Sequence, residues 1–232
     1  MLFLSKKVLF TLLVILNIIF TNTSYSSVSL GATRVVYISN AKQETLSIIN
    51  SSKTNRYLIN SWVTNEKEQK TNDFIVTPPL FAIETDSENT IKIIKIKNDF
   101  PVDRESVYFL NVKSIPSVDK DDLNSKNMLQ IAVLSRIKLF VRPSELKMKP
   151  EDSYDKIKIT KGSEKNTISI INPTPYYINM VDVYIKNKKQ NNMMIPPYSQ
   201  KEISGVASGN LKYKVINDYG ALTQDIYKKL DN

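Results

Sequence analysis

The run Leu129-Gln-Ile-Ala-Val-Leu-Ser-Arg-Ile-Lys-Leu-Phe-Val-Arg-Pro143 alternates at period two. Leu129, Ile131, Val133, Ile137, Leu139 and Val141 fall on one face of an extended strand, and Gln130, Ala132, Arg136, Lys138 and Arg142 fall on the other. At about 3.3 Å per residue the strand spans roughly 45 Å, far more than the usual length in a sandwich, so one end is expected to project beyond its own sheet or run along its edge. Proteins normally suppress a long apolar edge because it pairs with other chains. One left in place points to a partner chain.

Upstream of this run the pattern is all strand. β-Branched and aromatic segments at Arg34 to Ile38, Thr45 to Asn50, Tyr57 to Val63, Phe74 to Thr77, Thr90 to Ile96 and Ser106 to Lys113 are separated by Asn, Ser, Lys, Asp and Pro clusters. With Leu129 to Val141 they make seven strands, the spacing of an immunoglobulin-like sandwich. Trp62 is expected to alternate inward with Leu58 and Asn60 and to anchor the core. Downstream, Leu146 to Pro150 breaks the pattern between Pro143 and Pro150 and reads as a hinge. A second, shorter all-β series follows at Ile157 to Thr160, Thr167 to Ile171, Tyr177 to Ile185, Met193 to Ile195 and Leu211 to Ile216, with a short helical turn expected at Gln224 to Leu230. The predicted fold is therefore all-β, two immunoglobulin-like sandwiches over 27–147 and 148–232.

Lys6 and Lys7, the apolar run Val8 to Phe20 and the small polar residues Thr21 to Ser27 have the order of a secretory signal peptide, residues 1–26, with cleavage expected after Ser26. The apolar run is too short to span a bilayer comfortably, so no membrane insertion is expected after cleavage. With no Cys, the exported chain must hold itself together by core burial, without disulfides. The absence of His removes the commonest general base and metal ligand, and five Gly leave no glycine-rich phosphate loop. Together these argue against an enzyme, and no cofactor or metal is expected. The net charge of +9 is spread as scattered Lys without basic blocks and interleaved aromatics, which argues against nucleic acid as a partner.

Eight segments, in order and across both predicted domains, carry a family resemblance: Ala32-Thr-Arg-Val-Val-Tyr37, Ser61-Trp-Val63, Thr77-Pro-Pro-Leu-Phe81, Asp103-Arg-Glu-Ser106, Leu110-Asn-Val-Lys-Ser-Ile-Pro116, Ser135-Arg-Ile-Lys-Leu-Phe-Val-Arg-Pro143, Asn172-Pro-Thr-Pro-Tyr-Tyr177 and Ile216-Asn-Asp-Tyr-Gly220. From about Val28 to Gly220 the chain resembles the periplasmic pilus chaperones, the PapD-like proteins. The resemblance implies a boomerang of two immunoglobulin-like domains that holds incomplete fimbrial subunits in its cleft and delivers them to an outer-membrane usher. It implies that the strand quoted above completes the subunit's fold, the β-augmentation mode of peptide recognition.

By the same resemblance Leu129, Ile131 and Val133 are the donor-strand residues that enter the subunit's apolar groove, while Ile137 and Leu139 read as core. Arg34 and Lys138 match the family's cleft pair, which anchors the subunit's terminal carboxylate through charge-assisted bonds. Glu105, Arg142 and Asp218 match a charge network that sets the angle between the domains. The short, Cys-free segment Ser117 to Asn127 resembles that of the short-loop class, and Thr77-Pro78-Pro79 is a candidate cis-peptide site. Free of subunit, two copies could cap each other's apolar strand as a homodimer. The alternative class, a structural fibre subunit or adhesin, calls for an N-terminal donor extension. Only Ser27 to Thr33 lie between the expected cleavage site and Arg34.

Overall fold

The computed structural model describes residues 27–117, 130–205 and 208–230, and in it the chain forms two β-sandwiches. The first contains β1 (Val28–Leu30), β2 (Arg34–Ile38), β3 (Glu44–Asn50), β4 (Tyr57–Thr64), β5 (Phe74–Thr77), β6 (Leu80–Ile83), β7 (Ser87–Lys95), β8 (Ser106–Pro116) and β9 (Val133–Arg142). One sheet runs β1-β3-β7-β5 and the other β2-β9-β8-β4-β6. Alternate residues of each strand turn inward, and Tyr37, Ile48, Ile59, Ile83, Ile91, Ile93, Leu110 and Leu139 are buried between the sheets. The Thr77–Pro78 peptide is cis and lies between β5 and β6, which belong to different sheets.

The geometry of β9 matters most for function. Its core face carries Ile137, Leu139 and Val141, as the period-two reading requires, and its opposite face carries Arg136, Lys138, Phe140 and Arg142. It pairs antiparallel with β8 along its length, from Ser106↔Val141 to Ser114↔Val133. On its other side it pairs in parallel with β2, which begins at Arg34 opposite Lys138 and runs to Ile38 opposite Arg142. Among the described residues, the stretch Val133 to Ile137 therefore has a neighbour on one side only. The strand begins four residues later than the sequence pattern suggested. Residues 130–132 are described but are not strand, and Leu129 lies outside the described residues. The segment Ser117 to Asn127 is likewise outside them except for Ser117.

One inward assignment fails. In β4 the core face is Ile59, Ser61 and Val63, so Leu58, Asn60 and Trp62 point out, with Leu58 39% exposed and Trp62 half-buried. Ser61 sits at the centre of the core face and weakens its apolar signal, while Leu58 and Trp62 strengthen the wrong one. A one-residue misreading of register moves a whole strand's side chains to the other face. The short strands β1 and β6 also escaped the pattern.

The second sandwich opens with a four-residue helix, α1 (Pro150–Ser153), whose proline stands in the first turn, where a missing N–H costs nothing. Then come β10 (Lys158–Lys161), β11 (Thr167–Asn172), β12 (Ile178–Ile185), β13 (Lys188–Lys189), β14 (Met193–Ile195), β15 (Ser199–Ser204), β16 (Leu211–Val215) and β17 (Ile226–Lys228). Sheets β10-β11-β15 and β13-β12-β16-β17, with β14 on β12, enclose Ile159, Ile168, Ile170, Ile178, Met180, Leu211 and Tyr213. The helical turn expected at Gln224 to Leu230 is instead strand β17. Ile226 packs against the core while Tyr227 is exposed, an alternation that pairing with β16 enforces and that three residues alone could not reveal.

Candidate functional site

The two sandwiches meet where two loops of the second domain present polar groups to the ends of β8 and β9. The first loop, Asn172 to Tyr177, is pinned by the fully buried Asn172. Its Nδ2 donates to the carbonyls of Tyr176, Ile195 and Pro196, and its Oδ1 accepts from the Thr174 N–H and hydroxyl. Held this way, the loop offers the Pro175 carbonyl to the Glu105 N–H at 2.9 Å and the Tyr177 N–H to Glu105 Oε2 at 2.9 Å. The second loop is a turn in which Asn217 Oδ1 accepts from the N–H groups of Tyr219 and Ala221. Gly220 has φ +82°, where any L side chain is strained, and a Cβ there would lie 2.3 Å from Thr33 Oγ1 of the first domain and force that hydroxyl to move.

Arg142 joins these loops. Its Nε donates to Glu105 Oε1 at 2.7 Å, and its two terminal nitrogens grip Asp218 at 2.7 and 2.9 Å. The guanidinium also stands 5.0 Å from the Tyr176 ring. Glu105 is 4% exposed, and burial pushes its carboxyl up in pKa, opposed by Arg142 and the Tyr177 N–H. Burial alone would lower Arg142, but the hydrogen bonds and charges of Asp218 and Glu105 outweigh it and raise the guanidinium further. One cation thus serves two acids from two domains.

Arg34 and Lys138, cross-strand partners on β2 and β9, face the cleft beside this joint. Arg34 is 8% exposed, and its Nη1 donates to the Ile216 carbonyl at 3.0 Å while its buried Nε has no acceptor among the described residues. Lys138 Nζ donates to Asn179 Oδ1 at 2.6 Å. Both cations therefore lean on neutral oxygens of the second domain rather than on a carboxylate. Burial, and next the charge of Arg34, lower the Lys138 pKa, while burial lowers Arg34 against the attraction of Asp218. Two desolvated, mutually repelling cations favour an anion between them. From this pair the unpartnered stretch of β9 leads back to Val133, 52% exposed, and to Ile131, 66% exposed.

Residues 27–147 match the family model of the pili and flagellar-assembly chaperone PapD N-terminal domain, and residues 152–227 match the pili assembly chaperone PapD C-terminal domain. This chain belongs to the pilus-assembly chaperones. It is 41% identical over 222 residues to the probable fimbrial chaperone SfmC of Escherichia coli strain K12, covering 94% of this chain and 95% of that one. Among solved structures, the periplasmic chaperone SfaE superposes with a TM-score of 0.76 at 40% identity, over 87% of this chain and 99% of that one. The SafB chaperone, solved in complex with the Salmonella enterica SafA pilin, gives 0.77 at 28% identity, over 89% and 97%.

In this chaperone the structure brings Glu105, Arg142 and Asp218 into one network and Arg34 and Lys138 into one pair. Asn179, Asn172, Asn217 and Tyr177 were not singled out from the sequence, although each helps to orient those charges. The available signal was an Asn within an otherwise apolar strand, as at Asn179, and Asn at the head of a Pro-rich or Gly-containing turn.

The lowered Lys138 pKa has a measurable consequence. In the window between that value and its ordinary 10.5 the unfolded chain binds more protons than the folded one, so this lysine makes stability rise with pH there. The difference in stability between the native chaperone and Lys138→Met is expected to shift in favour of the native chaperone as pH rises through the window. Parallel urea unfolding curves at several alkaline pH values check this.

Proposed function

We propose that the mature chain is a periplasmic chaperone of the chaperone-usher pathway, non-catalytic, that holds incomplete pilus subunits by lending them a strand and delivers them to an outer-membrane usher. The observation that carries the reading is the one-sided stretch of β9 ending at a buried cation pair. In this reading the subunit's terminal carboxylate sits between Arg34 and Lys138. Its last strand continues the line of β2 along the free edge of β9, parallel to it, and main-chain hydrogen bonds give affinity with little dependence on sequence. Leu129, Ile131 and Val133 fill the subunit's groove, each burial contributing about 1.5 to 3 kcal/mol before ordering costs. Release comes by exchange for a competing strand. Glu105, Arg142 and Asp218 hold the two domains at the angle that shapes the cleft.

The same proposal assigns residues 1–26 to a signal peptide cleaved after Ser26, and places the domain boundary between 147 and 148. It also gives the free chaperone a means of capping its own exposed strand, by pairing with a second copy. Its support is the chaperone role named for the relatives and the pilin held by SafB. A fibre subunit or adhesin is not favoured, since both matching family models are those of assembly chaperones.

Ile131→Glu tests the lent strand. An ionised carboxylate in an apolar groove costs several kcal/mol, so subunit retained on the variant is expected to fall at least tenfold, with the melting curve unchanged because Ile131 is exposed in the free protein. Co-purification of subunits from the periplasm beside the native chain reads the effect. Equal retention would mean that another strand is lent.

A further inference from the structure

Two residues before Lys138, on the same face of β9, stands Arg136. Its guanidinium carbon lies 4.0 Å from the Phe109 ring centroid, and its Nη1 forms an ion pair with Glu68 Oε1. Arg136, Phe109 and Glu68 line the same 340 Å³ recess as Arg34 and Lys138. Glu68 itself sits in the turn between β4 and β5 with φ +63°, a conformation suited to glycine or asparagine. Asn65 Oδ1 ties that turn by accepting from the N–H groups of Lys67 and Gln69, so the geometry does not depend on the side chain of Glu68. A strained backbone position therefore holds an acid whose carboxylate goes to Arg136, which points to a role for that contact beyond the turn.

We propose that Arg136 determines specificity, selecting a hydrogen-bond-accepting side chain, acidic first, at the subunit position two residues before the terminal carboxylate, with Glu68 occupying one guanidinium nitrogen in the free protein as a partner that the incoming side chain displaces. The inference rests on the lent-strand reading. A strand in line with β2 whose terminal carboxylate lies at Arg34 and Lys138 places its residue two positions earlier level with Arg136 and on the same face. Stacking on Phe109 fixes the plane of the guanidinium, and Glu68 engages only one of its nitrogens. Glu68 is 72% exposed, and such a pair exchanges partners readily.

The test uses nine-residue synthetic peptides of alternating Val and Thr with Glu, Ala or Lys third from the C-terminus, each as free acid and as amide, titrated into the full mature chaperone by fluorescence anisotropy. The native protein is expected to prefer Glu over Lys by about tenfold, the sum of one attraction gained and one repulsion avoided. Arg136→Glu should reverse the order. Glu68→Gly, which suits the backbone, should tighten the Glu peptide severalfold by freeing Arg136. If Glu, Ala and Lys peptides bind equally while amidation still weakens all three, Arg136 selects nothing and the lent-strand reading stands. If amides bind as well as acids, or no peptide binds, the carboxylate anchor fails and this proposal with it.

Discussion

Lys138→Ala is expected to abolish subunit capture while the chaperone keeps its fold. The amine is half-buried, and among the described residues its one close partner is the neutral Asn179 Oδ1, so its charge is poorly compensated in the free protein. A subunit carboxylate would supply the missing anion through short, charge-assisted bonds in a site shielded from water. Removing one member of such a pair leaves the other buried and unpaired, a loss of about 2 to 5 kcal/mol, or roughly thirty- to several-thousandfold in affinity. Arg34→Ala should lose as much binding. Each cation also donates across the domain boundary, Arg34 to the Ile216 carbonyl and Lys138 to Asn179 Oδ1, so each variant removes one contact of the joint as well. Affinity for a purified subunit, measured beside a thermal melt, separates lost capture from lost fold. Full affinity in Lys138→Ala would remove the anchor.

Arg142→Ala should be the most destabilising single change at the joint. It leaves Glu105, 4% exposed, without its cation and beside the like-charged Asp218. Breaking a buried ion pair by deleting one partner typically costs about 3 to 5 kcal/mol, mostly the penalty of the stranded charge. The double variant Arg142→Ala with Glu105→Gln should recover part of that loss, because the stranded charge is gone. Denaturant midpoints of the single and double variants test the energetics, and solution scattering tests whether the distance between domains changes. An unchanged midpoint for Arg142→Ala, together with an unchanged scattering profile, would mean that the network contributes neither stability nor geometry.

Much of this was legible because β-strands advertise themselves by alternation. Ile137, Leu139 and Val141 against Arg136, Lys138 and Arg142 gave the inward and outward faces of β9 without ambiguity. Where a core face carries a small polar residue, the same signal inverts: Ser61 between Ile59 and Val63 sent Trp62 to the wrong side. The short strands β1, β6, β13 and β17 hold too little pattern to be read, and they exist because a longer neighbour offers them a ladder. The charged residues of the joint were recognisable as members of a family pattern, but their geometry was not. Asn172 and Asn217 shape loops through side-chain to backbone bonds that no periodicity encodes, and Asn179 gains its meaning only when β12 is brought against Lys138. Gly220 stood in the sequence only as the end of a family segment, and its contact with Thr33 in the other domain depends on how the domains meet.

The central claim is that the free edge of β9 is the strand lent to the subunit. Amide hydrogen exchange on the mature chaperone, alone and saturated with a purified pilus subunit, tests it most directly. The account predicts that protection on binding is concentrated in residues 130–137 and at the start of β2, with the exposed edges at β5, β6 and β13 unchanged. Protection that appears at one of those other edges while 130–137 exchange as fast as in the free protein would contradict it.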